Sequence, residues 1–252
     1  MKTIPSISND VIVLLINLNR AKKRFLQMKT QFEKFGIQYH RIQAIDGKSL
    51  IYSNKEFNKK KFRACVGKKI NTNEIACYLS HYKAIEFFMK NEKEFALIFE
   101  DDVVFNDDLI KIINRLVKIK NRWNFIKFNT ARDGGIGNIA IKNIFQKYCM
   151  YASLFPKTYS GAYLIDRKSG SSLIEKLLPM SVPFDHEMIK FWKYNIRQYS
   201  IFPSPVKVKY EDSFIGGYGK HSNKFPFYKR ISVLFYRILT QVYRIINFHK
   251  LF

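Results

Sequence analysis

Short apolar runs alternate with longer amphipathic segments along the chain. Residues 11–18 form a continuous, β-branched apolar run, which is typical of a strand buried on both faces of a parallel sheet. In residues 20–35 apolar side chains recur every three or four positions, which predicts a helix, and Gly36 follows as a C-terminal cap. Residues 37–45 predict a second strand, which the turn Asp46-Gly47 ends.

The same alternation continues to about residue 178 and predicts an α/β domain with a mainly parallel sheet. The predicted strands and helices are a helix over 72–90, a strand over 95–99, a helix over 107–120 capped by Asp107, strands over 125–128 and 161–165, and a helix over 168–178. Two segments predict irregular structure: residues 53–69 are basic and poor in large aliphatic side chains, and residues 132–137 are rich in glycine.

The C-terminal part of the chain has a different character, because no acidic residue follows Asp212. Residues 228–251 have helical periodicity, and arginines recur every seven residues on one face. The apolar stripe comprises Ile231, Leu234, Phe235, Ile238, Val242 and Ile245, and the arginines are Arg230, Arg237 and Arg244. This pattern is typical of a helix lying in a membrane interface, and equally of a helix whose stripe packs on the domain. We therefore divide the chain into a domain, 1–217, and a basic tail, 218–252.

The formal net charge of +24 predicts an anionic partner: nucleic acid, an anionic membrane or a phosphorylated substrate. No zinc-finger spacing or aromatic RNA-binding strand is present, so nucleic acid is not expected. Three irregularly spaced cysteines, Cys65, Cys77 and Cys149, favour reduced thiols in a cytoplasmic protein. The apolar run at 11–16 is too short for a signal peptide, and no stretch approaches the roughly 20 apolar residues of a transmembrane helix.

Three consecutive carboxylates, Glu100-Asp101-Asp102, follow the apolar run 95–99 directly. Such a cluster repels itself unless a cation or several N–H groups lie nearby. Residues at positions i and i+2 of an extended segment point to the same side, so Glu100 and Asp102 together can face one Mg²⁺ or Mn²⁺ ion. The alternative is a solvated acidic turn that caps the next helix.

Seven segments, in order along residues 11–217, carry a resemblance to a known family. They are VIVLLINLNRAKKR, FEKFGIQYHRIQAIDG, NEIACYLSHYKAI, ALIFEDDV, SGAYLIDRKSG, PFDHEM and EDSFIGG. Together they resemble glycosyltransferase family 25, which includes lipooligosaccharide galactosyltransferases of Gram-negative bacteria and relatives of collagen galactosyltransferases. The resemblance implies a Rossmann-like nucleotide-sugar transferase domain of the GT-A type, a UDP-sugar donor, a divalent metal and an anionic glycolipid acceptor.

The resemblance also implies roles for particular residues. Asp102 would bind the metal, with Glu100 or Asp101 supporting it or holding the ribose of the donor. The expected donor-binding residues are Asn17, Arg20, Arg24, Ser80, His81, Lys83 and Asp101. The alternatives stay open: the arginines can simply be solvated, and a lone helical histidine is more often a packing residue.

An inverting transfer needs a carboxylate base, for which Asp185 in PFDHEM is the first choice and Glu187 and Asp212 are alternates. Asp185 can instead be a plain helix N-cap. His221 is a candidate third metal ligand or, alternatively, an exposed histidine of the tail. The expected enzyme is a UDP-galactose-dependent β-galactosyltransferase acting at the inner face of the cytoplasmic membrane. The competing interpretation is a non-catalytic basic protein that binds nucleic acid or anionic membrane. Ser160-Gly161-Ala162 and Ile85 depart from common family residues, which leaves the sugar open.

Overall fold

The computed structural model describes residues 6–128, 137–209 and 224–252. Its centre is an eight-stranded sheet of order β2-β1-β3-β8-β5-β9-β7-β6, and β4 pairs separately with β10. The strands are β1 (Val11–Asn17), β2 (His40–Gln43), β3 (Phe95–Glu100), β4 (Val103–Phe105), β5 (Phe125–Lys127), β6 (Asn138–Phe145), β7 (Tyr148–Ser153), β8 (Ala162–Asp166), β9 (Gln198–Phe202) and β10 (Val206–Val208).

Strand direction confirms the predicted α/β fold with a mainly parallel sheet. β2, β1 and β3 are mutually parallel, and β5, β9 and β6 run the same way, whereas β8 and β7 run against them. Every residue of β1 is buried, as expected of an interior parallel strand whose sheet is covered by crossover helices on both faces. The hairpin of β6 and β7 was not predicted, since the β6 side chains are mostly exposed and its ladder is interrupted by bulges.

Helices cover the sheet on both sides. They are α1 (Lys22–Lys34), α2 (Lys59–Val66), α3 (Thr72–Met89), α4 (Asp108–Lys118), α5 (Arg167–Lys176), α6 (Phe184–Glu187), α7 (Phe191–Tyr194) and α8 (Ile231–Asn247). α1 ends where predicted, with Gly36 at a φ of +62°, a left-handed conformation that glycine adopts without strain. The predicted helices over 72–90, 107–120 and 168–178 are confirmed within a few residues.

The prediction of an irregular segment over 53–69 is wrong, because this segment contains α2. The Asn58 side chain accepts a hydrogen bond from the Lys61 amide at 2.9 Å and caps the helix. Phe62 and Cys65 are buried, and Gly67 ends the helix at a φ of +65°. With only two buried side chains in eight residues, the apolar positions of α2 do not repeat often enough for a helix to be recognised from the sequence. Asp107 occupies the predicted N-cap position of α4, but its side chain makes no capping hydrogen bond.

The predicted C-terminal helix is confirmed as α8, followed by a short 3₁₀ turn over Phe248–Leu251. It packs chiefly against α2 and α7. Among the described residues, no helix combines the length and apolar character needed to cross a membrane. The predicted domain boundary at residue 217 and most of the glycine-rich loop over 132–137 lie outside the described residues.

Candidate functional site

A pocket opens at the carboxyl ends of β1, β2 and β3, where the sheet meets the N-terminal half of α3. Ligands of open α/β sheets characteristically bind beyond the carboxyl ends of the strands. Its lining includes seven of the predicted site residues. They are Arg20, Arg24, Ser80, His81, Glu100, Asp101 and Asp102.

Asp101 joins the end of β3 to the end of β1. The Asn17 side-chain amide donates to its carboxylate at 2.6 Å, and Arg24 donates to the other oxygen at 3.1 Å. Arg41 in turn donates to the Asn17 side-chain oxygen at 2.6 Å. Burial raises the pKa of Asp101, and the contacts with Asn17 and Arg24 oppose that shift. Asn17, Arg24 and Asp101 are therefore brought together as predicted, although they bind one another in this structure.

Glu100 is held from two sides. The Ser160 hydroxyl donates to Oε1 at 2.7 Å, and Nε2 of His81 lies 3.3 Å from the same oxygen. Burial raises the pKa of Glu100, but the hydrogen bonds and charge of His81, together with Ser160, outweigh it and leave the pKa below its usual value. Glu100 is therefore an ionised carboxylate with one oxygen already engaged.

His81 is 1% exposed and uses both ring nitrogens. Nδ1 lies 3.0 Å from the Tyr163 hydroxyl and Nε2 faces Glu100, while the ring stacks on Phe184. These are the contacts of a packed histidine, so the packing alternative describes its surroundings well. Because one contact is with Glu100, His81 also fixes the orientation of a pocket carboxylate.

Asp102 differs from its neighbours because its Oδ1 is buried without a hydrogen-bond partner among the described residues. Burial, followed by the negative charges of Glu100 and Asp101, raises its pKa to about 7. A buried carboxylate oxygen without a partner is costly. A bound cation would remove that cost, and carboxylate oxygens are the ligands that Mg²⁺ and Mn²⁺ prefer, so Asp102 and Glu100 fit the predicted metal.

A second set of possible metal ligands lies close by: Cys77, His81 and Glu100 have ligand atoms within 4.8 Å of one another. A thiolate and an imidazole favour softer ions such as Zn²⁺. Burial raises the pKa of Cys77 well above its usual value, and both His81 nitrogens have hydrogen-bond partners. This set is therefore better described as a hydrogen-bonded support for Glu100 than as a hard-cation site.

Of the remaining predicted donor residues, Arg20 and Ser80 line the pocket and Lys83 does not. Arg20 lines the pocket and forms an ion pair with Asp46, whose pKa is lowered first by the Lys48 amide. Ser80 is buried and accepts a hydrogen bond from the Ile45 amide at 2.8 Å, which ties α3 to the loop after β2. Lys83 is exposed, does not line the pocket and donates to the Gln43 carbonyl at 3.0 Å.

The glycine of the turn after β2 is required by a close approach of two backbones. A Cβ added to Gly47 would lie 2.6 Å from Cα of Asn73 at the start of α3. Because Gly47 and Asn73 both line the pocket, a larger side chain at position 47 would push the turn away from α3 and open this wall.

Asp185 lies in α6, which begins directly after Pro183 as predicted. The N-cap alternative is wrong, because Pro183 occupies the cap position and Asp185 accepts from the His186 amide at 2.9 Å. The charge of Asp185 raises the pKa of the Cys77 thiol, after burial and Glu100, so Asp185 lies within electrostatic reach of the pocket wall. Asp185 does not itself line the pocket.

The alternate base Glu187 is only 1% exposed and is fully engaged. Lys190, Lys193 and the Tyr194 hydroxyl all donate to its carboxylate. Burial raises its pKa, but the two lysines outweigh burial and lower it overall. Glu187 therefore stabilises the α6–α7 segment. The other alternates, Asp212 and His221, lie outside the described residues.

Sequence reasoning missed Lys127, the last residue of β5. Its side chain is 2% exposed, and its ammonium donates to the Lys157 carbonyl at 2.9 Å. Burial lowers its pKa to about 8, and the charge of Asp185 acts in the opposite direction. A lysine inside an otherwise apolar strand is the signal that could have identified it.

Comparison with known proteins agrees with this geometry. Residues 11–188 match the family described as "Glycosyltransferase family 25 (LPS biosynthesis protein)". That match covers well over half of the chain and begins with β1 and ends just after α6, so it includes the pocket carboxylates and Asp185. The chain belongs to glycosyltransferase family 25.

Curated relatives are distant and much longer. A "Glycosyltransferase 25 family member" of Drosophila melanogaster is 24% identical over 76% of this chain and 34% of its own length. Human "Procollagen galactosyltransferase 2" is 28% identical over 48% of this chain and 21% of its own length. The chain thus spans about a third or less of the length of these relatives.

Solved structures give weaker similarity. A glycosyltransferase involved in glycosylation of the major capsid of PBCV-1 matches with a TM-score of 0.37 and 12% identity, over 75% of this chain and 80% of that one. A197 from STIV matches with a TM-score of 0.39 and 12% identity, over 84% and 98% of the two chains.

Proposed function

We propose that this protein transfers galactose, or another hexose, from a UDP-sugar to a lipooligosaccharide or lipopolysaccharide acceptor with inversion at the anomeric carbon. The observation that carries the proposal is the buried, unpartnered Oδ1 of Asp102, next to Glu100 in a pocket at the carboxyl edge of the sheet. Family membership supports sugar transfer, and the similarity to the human procollagen galactosyltransferase supports galactose.

The proposed donor site is the pocket itself. Arg20 and Arg24 supply positive charge to the lining, and Arg24 lies directly beside the pocket carboxylates. Asp102 and Glu100 would hold a Mn²⁺ or Mg²⁺ ion, which when bound neutralises charge on the departing UDP. Arg20 would face the phosphates once it releases Asp46, because the guanidinium geometry suits both carboxylate and phosphate partners.

The proposed base is Asp185. The acceptor hydroxyl oxygen attacks the anomeric carbon, the bond from that carbon to the UDP oxygen breaks, and the hydroxyl proton passes to the Asp185 carboxylate. Burial lowers the pKa of Lys127 and the charge of Asp185 opposes that shift, so the Lys127 ammonium lies within electrostatic reach of the proposed base. Glu187 is unsuited to this role because its carboxylate already accepts three hydrogen bonds.

A donor panel tests the proposal. Purified protein would be incubated with UDP-galactose, UDP-glucose, UDP-N-acetylglucosamine and a guanosine-linked sugar, with Mn²⁺, Mg²⁺ or EDTA, and hydrolysis and transfer scored by mass spectrometry. We expect turnover of a UDP-hexose that EDTA suppresses. Turnover of none of the donors, together with no rise in melting temperature with UDP and Mn²⁺, would contradict it.

The competing function is a basic protein without catalysis that binds nucleic acid or anionic membrane, which the net charge of +24 favours. The same thermal measurement separates the two. A nucleic-acid binder would be stabilised by an oligonucleotide and unaffected by UDP, whereas the proposed transferase responds to UDP and Mn²⁺.

A further inference from the structure

Helix α8 presents a wide apolar face to solvent. Nine large side chains between its first and next-to-last residues are each 43% to 63% exposed. This outer face of α8 comprises Ile231, Leu234, Phe235, Ile238, Leu239, Val242, Tyr243, Ile245 and Ile246. Contiguous apolar surface of this kind is rare on a monomeric protein and marks an interaction site. The alternative in which the stripe packs on the domain is therefore wrong.

The opposite, inner face of α8 is the one that contacts the domain, and it is polar. Arg244 is 5% exposed, lies over the Trp192 ring at 5.5 Å and donates to Gln241 at 2.5 Å. Gln241 also donates to the Leu154 carbonyl at 3.1 Å. A soluble helix normally buries its apolar stripe and exposes its charges, so the orientation of α8 is reversed.

Contacts near both ends fix that orientation. Near the first turn Val233 is buried against Gly67, where an added Cβ would lie 2.6 Å from a Val233 methyl group. Beyond the last turn Phe248 and Leu251 are buried, and the Tyr199 hydroxyl donates to the Leu251 carbonyl. Rolling α8 to bury its outer face would break these contacts, so no described part of the domain can cover that face.

The charge around the outer face identifies the partner. Residues 224–252 contain six basic residues and no acidic residue. Lys224, Lys229, Arg237 and Lys250 are exposed. Basic side chains bordering an apolar helix face are the combination that binds an anionic bilayer, where the apolar side chains enter the headgroup region and the cations meet lipid phosphates.

We infer that the outer face of α8 docks the protein on an anionic lipid bilayer. A second copy of the chain is a poorer partner, because a symmetric contact would bring two like-charged surfaces together on molecules that each carry +24. The inference concerns a surface and does not depend on the proposed reaction.

The docked helix would also bring the segment that carries the proposed base close to lipid. Lys190, just after α6, lies 5.5 Å from the Tyr236 ring of α8. His186 is exposed at the surface. Loss of hydration next to neighbouring groups lowers its pKa, Asp185 opposes this shift and Arg237 of α8 adds to it, so the α6 segment and α8 are within electrostatic reach. If the proposed function holds, a lipid-linked acceptor would reach Asp185 from the surface to which α8 binds.

Vesicle binding by the full chain tests the inference. Binding would be measured by flotation with phosphatidylcholine vesicles containing phosphatidylglycerol, and with pure phosphatidylcholine as comparison. We expect tighter binding to the anionic vesicles, weakened by salt, and a loss of at least tenfold in the double variant Leu234→Glu and Ile238→Glu. Both residues are more than half exposed, so the substitutions should leave folding intact.

The matched control is Ile51→Glu, an apolar-to-acidic change at a side chain that is 93% exposed outside α8. It should bind vesicles nearly as tightly as the parent protein. A Phe235→Trp variant would report insertion of the outer face into lipid, since its tryptophan fluorescence should shift to shorter wavelength when anionic vesicles are added. Equal binding by the double variant and the Ile51 control, or no wavelength shift, would overturn the inference.

Two further outcomes also count against it. Association of the lipid-free protein into dimers that the double variant abolishes would assign the outer face to a second copy. If the parent protein does not bind anionic vesicles, an anionic bilayer is excluded as the partner. Because neither measurement uses a sugar donor, loss of transfer activity and loss of membrane binding remain distinguishable.

Discussion

The imidazole of His81 and the phenyl ring of Phe184 stack with centroids 4.0 Å apart and planes 2° from parallel. This contact joins α3, which forms one wall of the pocket, to the first residue of α6. Asp185 follows Phe184 directly. The stack therefore sets the distance between the pocket carboxylates that His81 supports and the proposed base.

We predict that Phe184→Leu lowers turnover about tenfold or more while leaving the dissociation constant of UDP nearly unchanged. Leucine removes the flat surface on which His81 rests, and small misplacements of a reacting group are costly in rate. Steady-state kinetics combined with calorimetric titration of UDP would measure both effects. An equal loss of UDP affinity would show that Phe184 supports donor binding rather than the base.

We predict that Asp185→Asn lowers turnover by at least about a hundredfold, because the amide cannot accept the hydroxyl proton. UDP binding should be retained, since Asp185 does not line the pocket. Turnover per folded molecule is the quantity to measure, with the folded fraction taken from circular dichroism. Near-normal turnover would assign the base to another residue.

The control for that variant is Glu187→Gln, which changes the neighbouring buried carboxylate. We expect it to lower the free energy of unfolding by about 3 kcal/mol, because Lys190 and Lys193 lose their partner. Since the folded-state pKa of Glu187 is lowered, this stability is present above the unfolded pKa and is lost as pH falls through the folded one. The gap between parent and variant should therefore close in acid, while turnover per folded molecule stays nearly unchanged.

The sequence predicted the part of the sheet formed by β2, β1 and β3 well, because the apolar runs that mark these strands are local patterns. The run at 11–18 became β1, and the carboxylates after residue 99 line a pocket. By contrast, β8 runs antiparallel between β3 and β5, and no local pattern encodes the direction of a strand. β9, which was missed, depends on pairing with β5 for its place in the sheet.

The sequence predicted which residues would lie at the site, but not which of them contact one another. Asn17, Arg24 and Asp101 were expected to bind donor, whereas they form a network whose members lie up to 84 positions apart in sequence. Arg230, Arg237 and Arg244 were expected on one face apart from the apolar stripe, but Arg244 is buried against the domain whereas Arg237 is exposed. Periodicity alone cannot say which face of a helix turns inward. Burial of Lys127 likewise depends on tertiary packing.

We predict that Asp102→Asn changes stability and ligand binding in opposite directions. Without metal the variant should melt at a higher temperature than the parent, because the amide relieves repulsion from Glu100 and Asp101 at a buried site. With Mn²⁺ it should bind UDP much more weakly, since a hard cation loses an anionic ligand. Asp107→Asn, at a carboxylate that is 71% exposed, is the control and should change neither. Unaltered Mn²⁺-dependent UDP binding in Asp102→Asn would exclude Asp102 as a ligand.

The buried ammonium of Lys127 gives the most distinctive prediction. Burial lowers its pKa to about 8, against about 10.4 in an unfolded chain, so between these values the unfolded protein holds more protons and stability rises with pH. We expect Lys127→Met to raise the free energy of unfolding at pH 7 by up to about 3 kcal/mol, which is roughly the cost of lowering the pKa of a lysine from about 10.4 to about 8. The advantage of the variant should shrink as pH rises from 8 to about 10.4.

The same variant should impair the enzyme, because it removes a positive charge within electrostatic reach of the proposed base Asp185. Turnover should fall, whereas Lys83→Met, at an exposed lysine that does not line the pocket, should leave it unchanged. Denaturant titrations across pH 7 to 10 and steady-state kinetics of both variants provide the check. A stabilised Lys127→Met protein with unchanged turnover would mean that the ammonium serves packing alone. Reduced stability would mean that its bond to the Lys157 carbonyl outweighs the cost of burying the charge.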